Sequence, residues 1–144
     1  MLEQHLSRLV VGTGGRGFHD LTGEVQSRVT AAKIHTGLCT LHLQHTSASL
    51  LIQENADPDV RADFERFFAR LVPDGDRMFT HTVEGDDDMA AHVRTALTTV
   101  NLSVPIADGR LTLGTWQGIY LWEHRHDAHR RTVVVHLLGE PRKG

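Results

Sequence analysis

From Leu38 to His45 apolar and polar residues alternate. Cys39, Leu41, Leu43 and His45 fall on one face, and Thr40, His42 and Gln44 on the other. That spacing predicts a half-buried strand whose apolar stripe ends in a histidine. Asp57-Pro58 has the form of a cap followed by proline at the first helical position. Val60, Phe64, Phe67, Phe68 and Leu71 then recur at helical spacing, and Pro73-Asp74-Gly75 closes the segment. An acidic stretch, Glu84 to Asp88, suits the positive end of a second helix. Its apolar face would carry Met89, Val93, Ala96 and Leu97, with His92 at the edge.

Further strands are expected at Ser103–Ile106, through Leu111–Glu123 after a turn at Asp108-Gly109, and at Arg131–Leu138. Thr22, Val25, Val29 and Ile34 lean residues 21–34 toward strand, with a turn at His35-Thr36-Gly37. The Gly12–Gly17 stretch lacks the context of a phosphate loop and reads as a flexible turn. Two helices among irregularly placed strands predict one α+β domain spanning residues 1–144.

Composition narrows the possibilities. A chain of 144 residues can bury one core without staples. Fifteen Lys and Arg against eighteen Asp and Glu give a formal charge of −3, which argues against a nucleic-acid partner. One cysteine, Cys39, excludes an internal disulfide and any multi-cysteine metal cluster. The sequence holds no apolar run of membrane-spanning length and no secretory signal pattern, so no membrane partner and a cytoplasmic location are expected. Histidine is abundant at eleven residues, and it is the commonest metal ligand and the side chain titrating nearest neutrality.

Position singles out a few groups. His45 ends an inward stripe, and Thr46 and Ser47 after it can open a turn whose amides face an anion. His92 borders the apolar face of its helix, and His81 precedes the acidic stretch. Glu123 follows Ile119 and Leu121 on one strand face, where a carboxylate must be paired, bind a cation or reach solvent. Arg125, Arg130 and Arg131 flank one turn and are candidates to grip phosphate. Arg131 starts on the core-facing side of its strand and Arg130 on the other, so Arg125 would act with one of them. Glu54, Asn55, Asp57 and Asp59 are either a hard-cation site or a cap with its solvated approach. Ser47 and Ser49 lack the elbow of a nucleophilic serine.

The blocks HTSASLLIQENADPDVRADF, Ala91-His92, LTLGTWQGIYLWEHR and HRRTVVVHLLGE, in this order, resemble the YjbQ family from about Asp20 to Glu140. The resemblance implies a sandwich-like core of mixed or antiparallel sheets with two main helices, assembled as a homotrimer. It also implies a thiamine-phosphate synthase-like transferase activity, joining a pyrimidine methyl diphosphate to a thiazole phosphate with release of pyrophosphate. The pocket residues it implies are His45, His92 and Glu123, with His81 as a further catalytic candidate. Three departures stand out: Asp88 where relatives often have Asn, Val100-Asn101 in place of Gly-Pro-Ser, and Glu123-His124-Arg125 in place of Glu-Phe-Asp.

The expected partner is therefore a phosphorylated small molecule. His45, His92 and Glu123 are the expected ligands of a divalent ion, zinc or magnesium. The same set would serve a metal-dependent hydrolase, or a non-catalytic trimer that binds a metal or anion.

Overall fold

A computed structural model describes residues 1–143. Two antiparallel sheets face each other. The larger has the order β1-β8-β3-β5-β6, formed by β1 (Glu3–Thr13), β3 (Ile34–Leu43), β5 (Asn101–Ala107), β6 (Arg110–Leu111) and β8 (His129–Pro141). The smaller has the order β2-β7-β4, formed by β2 (Gly17–Asp20), β4 (Ala48–Glu54) and β7 (Gln117–Glu123). Three helices complete the chain: α1 (Thr22–Ala32), α2 (Pro58–Leu71) and α3 (Asp86–Leu97).

The inner faces meet in one core. Leu9, Cys39, Leu41, Leu43, Val133, Val135 and Leu137 come from the larger sheet, and Ala48, Leu50, Ile119 and Leu121 from the smaller. Alternation within β3 survives into the structure because only one of its faces is covered. The stripe stops at Leu43, however, and His45 lies two residues beyond the strand, exposed.

Residues 21–34 are mostly helix, not strand. Leu21, Val25 and Val29 are spaced by four and are all buried, so α1 presents one apolar edge to the core despite its β-branched residues. Lys33, with φ 57°, ends it in the left-handed region. The expected turn at His35-Thr36-Gly37 lies inside β3, which bulges between Ile34 and Thr36. Gly37 pairs with Gly139 there. A Cβ on Gly37 would come within 2.2 Å of the Leu138 carbonyl oxygen, so only glycine permits that approach.

The turn expected at Asp108-Gly109 does form. It is a two-residue hairpin loop with both φ values positive, 53° and 76°. The strand expected over Leu111–Glu123 is broken into β6 and β7 by residues 112–116.

Helix α2 begins as its sequence suggests, with the Asp57 side chain accepting the Asp59 N–H and Pro58 in the first turn. Its apolar face is only partly used. Phe64 and Phe68 pack edge-on to Trp122, which stacks on Phe18, while Phe67 and Leu71 stay more than half exposed.

Helix α3 is rotated from its expected orientation. Asp88, Ala90, Ala91, Arg94 and Thr95 are buried; Met89 and Val93 are half-buried, and Ala96 and Leu97 are exposed. Two alanines let the helix approach closely. Asp88 on that face pairs with Arg125 at 2.8 Å, whereas Arg94 has only a long ion pair with Glu65 at 3.5 Å and none of its guanidinium nitrogens makes a hydrogen bond.

His124 follows β7 and is fully buried, its Nε2 hydrogen-bonded to Ser49 Oγ at 2.8 Å. Burial, with the charges of Arg94, Arg16 and Arg131 behind it, lowers its pKa to about 3. An unfolded histidine titrates near its reference value of about 6.5. The contribution of His124 is therefore complete above that pH and is lost as pH falls toward 3, at up to about 1.4 kcal/mol per unit. Replacing His124 with Gln should flatten the fall in unfolding free energy between about pH 6 and 4.5. Urea denaturation across that range measures it, and an unchanged slope would show that folding does not depress the His124 pKa.

Candidate functional site

Three connections pass between the sheets at one end of the sandwich: β1 to β2, β3 to β4 through residues 44–47, and β7 to β8 through residues 124–128. Chain that leaves one sheet for the other frees its backbone groups and can aim side chains that no strand pleat dictates. Helix α3 lies beside this end, anchored to β4 by Thr95, whose Oγ1 donates to the Ala48 carbonyl at 3.2 Å. The segment between α2 and α3 brings His81 to the same place.

Asp88 is the centre of the arrangement. It is buried in the first turn of α3. Its Oδ2 lies 2.8 Å from His81 Nε2 and 3.2 Å from His92 Nε2, and its Oδ1 accepts from Arg125 at 2.8 Å. Burial works against its charge, but the His81 hydrogen bond and the charges of His92, Arg125 and His81 outweigh it. The carboxyl is held below its ordinary pKa. The ligating atoms of His81, Asp88 and His92 all lie within 4.8 Å of one another. His92 Nδ1 is 2.9 Å from the Thr46 carbonyl oxygen, which can only accept, so Nδ1 carries a proton.

Arg125 is wholly engaged. Its Nε donates to Asp87 at 3.1 Å, and its two terminal nitrogens donate to Asp88 and to the Glu84 carbonyl, each at 2.8 Å. It therefore braces the start of α3. Arg131 is buried as its strand position predicts, and it is spent on Glu123 and on the Ser47 carbonyl at 3.3 Å. Arg130 faces the other way and is exposed. The structure thus gives none of the three a free, inward-facing guanidinium to grip phosphate.

Glu123 is fully buried. It accepts from Arg131 Nε at 2.8 Å, from Thr13 Oγ1 at 2.7 Å and from the Arg125 backbone N–H at 3.2 Å. Burial opposes its charge, but these bonds and the Arg131 charge hold its pKa below the carboxylate range. Of the expected ligands, only His92 falls in the converging group, and His81 and Asp88 join it. Glu123 is saturated by its own partners, and His45 has its Nδ1 occupied by the Ser47 amide at 3.2 Å and hydroxyl at 3.1 Å.

His45, Thr46 and His92 nonetheless line one cavity of about 430 Å³ with Thr95, Thr98, Thr99 and Val100. Partial desolvation of its ring lowers the His45 pKa, and the charges of Arg131 and His92 lower it further. The acidic residues near α2 are local caps: Glu54 accepts the Ala56 and Asp57 amides at 3.0 and 2.9 Å.

The profile of the UPF0047 protein YjbQ-like family matches residues 7–140. The chain belongs to the YjbQ-like UPF0047 family. It is 53% identical over 137 residues to UPF0047 protein sll1880 of Synechocystis, covering 95% of this chain and 93% of that protein. It is 47% identical over 126 residues to UPF0047 protein YjbQ of Salmonella typhimurium, covering 87% and 91%. The solved structure of conserved hypothetical protein TT1486 from Thermus thermophilus superposes with a TM-score of 0.79 at 36% identity, covering 89% of this chain and 97% of that one. A YbjQ-like protein of unknown function from Sulfolobus solfataricus shares the fold, with a TM-score of 0.88 at 23% identity over 97% and 100%. The α+β fold is therefore the YjbQ-like fold, and no described helix is long and apolar enough to cross a membrane.

Bracing by Arg125 has a measurable consequence. Arg125→Met strands the carboxylates of Asp87 and Asp88, and should cost about 3–5 kcal/mol of stability, whereas Arg130→Ala should stay within about 0.5 kcal/mol. Urea unfolding of the two variants checks this; equal, small losses would remove Arg125 from its structural role.

Proposed function

We propose that this YjbQ-like protein is a metal-dependent enzyme acting on a phosphorylated small molecule, with the ion held by His81, Asp88 and His92. One observation supports this above others: two imidazole Nε2 atoms converge on one buried carboxylate oxygen. When neutral, with its proton on Nδ1, His92 directs the Nε2 lone pair toward Asp88, and two acceptors 3.2 Å apart repel unless a second proton or a metal ion lies between them. A ligating histidine that donates its other N–H to a carbonyl is the usual mode of orientation at metal sites. Two imidazoles with one carboxylate suit zinc better than magnesium, and three protein ligands leave a position for substrate.

The reaction we favour is the thiamine-phosphate synthase-like coupling that the family resemblance implies. Departure of pyrophosphate builds negative charge, which a cation stabilises without any covalent nucleophile. With Arg125 and Arg131 engaged by carboxylates and Arg130 facing outward, we assign that task to the metal. The proposal retains the homotrimer: Leu6, Val10, Leu38 and Leu138 are exposed on the outer face of the larger sheet, where Leu38 pairs with Leu138.

Protein prepared without an affinity tag should carry close to one zinc per chain by elemental analysis. Asp88→Asn should lose at least about 100-fold in zinc affinity, more than the loss of an outer partner would cause. Pyrophosphate release from the two heterocyclic phosphates should be abolished by chelation and restored by zinc. Parent protein that binds no divalent ion while retaining activity would overturn the metal; bound zinc with no pyrophosphate release would overturn the reaction. Light scattering at micromolar concentration should give three times the chain mass, and a monomer mass would reject the trimer.

A further inference from the structure

Of the expected ligands, His45 and Glu123 stand outside the converging group. What they do follows from which atoms donate. Ser47 N lies 3.2 Å from His45 Nδ1, and a backbone amide can only donate. Ser47 Oγ sits 3.1 Å from the same atom. The amide aimed at Nδ1 leaves that atom unprotonated, the hydroxyl can donate to it as well, and the ring proton of the neutral imidazole sits on Nε2. His92 is in the opposite state, because the Thr46 carbonyl fixes its proton on Nδ1. Neighbouring backbone groups of one short loop, the carbonyl of Thr46 and the amide of Ser47, thus set opposite tautomers on two histidines of one cavity.

The loop is fixed from behind. Arg131 donates to the Ser47 carbonyl at 3.3 Å, and Glu123 holds Arg131 through Nε at 2.8 Å and through a second, terminal nitrogen. Thr13 donates to Glu123 at 2.7 Å and closes the chain of bonds. Glu123 and Arg131 are both buried, so the pair is shielded from solvent and has little room to rearrange.

We infer that His45 serves the site as a fixed hydrogen-bond donor through Nε2, not as a metal ligand, and that the Glu123–Arg131 pair positions it by holding Ser47. The inference rests on the metal reading only in calling the neighbouring group a metal site and in placing the ligand's anionic portion there.

It also defines the chemistry of the ligand. The hydroxyls of Thr95, Thr98 and Thr99 donate to the carbonyls of Ala48, Arg94 and Asn101, at 3.2, 2.9 and 2.9 Å. They therefore offer the cavity lone pairs. No lysine or arginine is among its lining residues. The cavity suits a portion of the ligand that is uncharged and bears its own N–H or O–H groups toward the threonines, with an acceptor atom placed against His45. The anionic portion belongs with His81, Asp88 and His92.

Nitrogen-15 NMR of the histidine rings in metal-free protein near neutral pH reads the tautomers directly. The parent protein should show His45 as a single Nε2–H tautomer and His92 with Nδ1–H. Glu123→Gln keeps the size of the side chain but drops its charge, and should lose the single-tautomer pattern at His45 while leaving His92 unchanged. Arg131→Met should do the same, and Glu123→Asp should restore part of the pattern. A mixture at His45 in the parent, or the same single tautomer in both variants, would overturn the inference.

Zinc titration separates this from failure of the metal reading. His45→Ala should bind zinc within about threefold of the parent, and His92→Ala should lose binding. Zinc affinity lost equally in both would make His45 a ligand and contradict the inference. No zinc binding in the parent would defeat the metal reading and leave the tautomer result standing.

Discussion

A carboxylate kept charged inside the protein is the constraint around which this end of the molecule is built. Asp88 is buried, ionised and surrounded by three nitrogen-bearing side chains from three separate stretches of chain. An isolated buried charge would cost several kcal/mol, so the groups that offset it must be present together. Arg125 ties the helix start to the β7–β8 connection, His81 ties in the segment before α3, and His92 ties the helix to the β3–β4 connection. The same contacts that make the charge tolerable place two imidazoles on it.

The sheets explain why this happens at one end only. Within the strands, pleating and register commit each side chain to the core or to solvent, as in Leu41 opposite Val135. Where three connections cross between the sheets, backbone groups are free to direct side chains instead. The Thr46 carbonyl and the Ser47 amide do so for His92 and His45. A second buried pair, Glu123 with Arg131, stands behind that loop. The site is thus two layers of charge compensation, one facing the cavity and one facing the core.

Much of the fold is legible in the sequence where one face alone is covered. Strand β3 and the cap of α2 follow from local pattern and local chemistry. Helix α1 is masked because Val25 and Val29 favour strands, and their spacing of four is the better guide. Strand β1 has apolar residues on both faces, with Leu6 and Val10 exposed, and shows no alternation to read. Helix α3 is misoriented by an apolar criterion because its buried face contains Asp88, Arg94 and Thr95. Of the site, His45, His81 and His92 stand out by type and position. The role of Asp88 is legible only in part: its spacing of four puts it beside His92 on one helix, but its partner Arg125 is 37 residues away and pairing across that distance leaves no local trace. The neutralisation of Arg131 by Glu123 is equally invisible before the β7–β8 turn is built.

The central claim is that the buried Asp88 carboxylate and its two imidazoles form one metal centre. Anomalous diffraction at the zinc edge, on crystals of protein purified without an affinity tag, tests it most directly. The account predicts a single peak about 2.0–2.2 Å from His81, Asp88 and His92 ligand atoms, with His45 and Glu123 outside the coordination shell. A peak bound by His45 or Glu123, or a zinc-free cluster at saturating zinc, would contradict it.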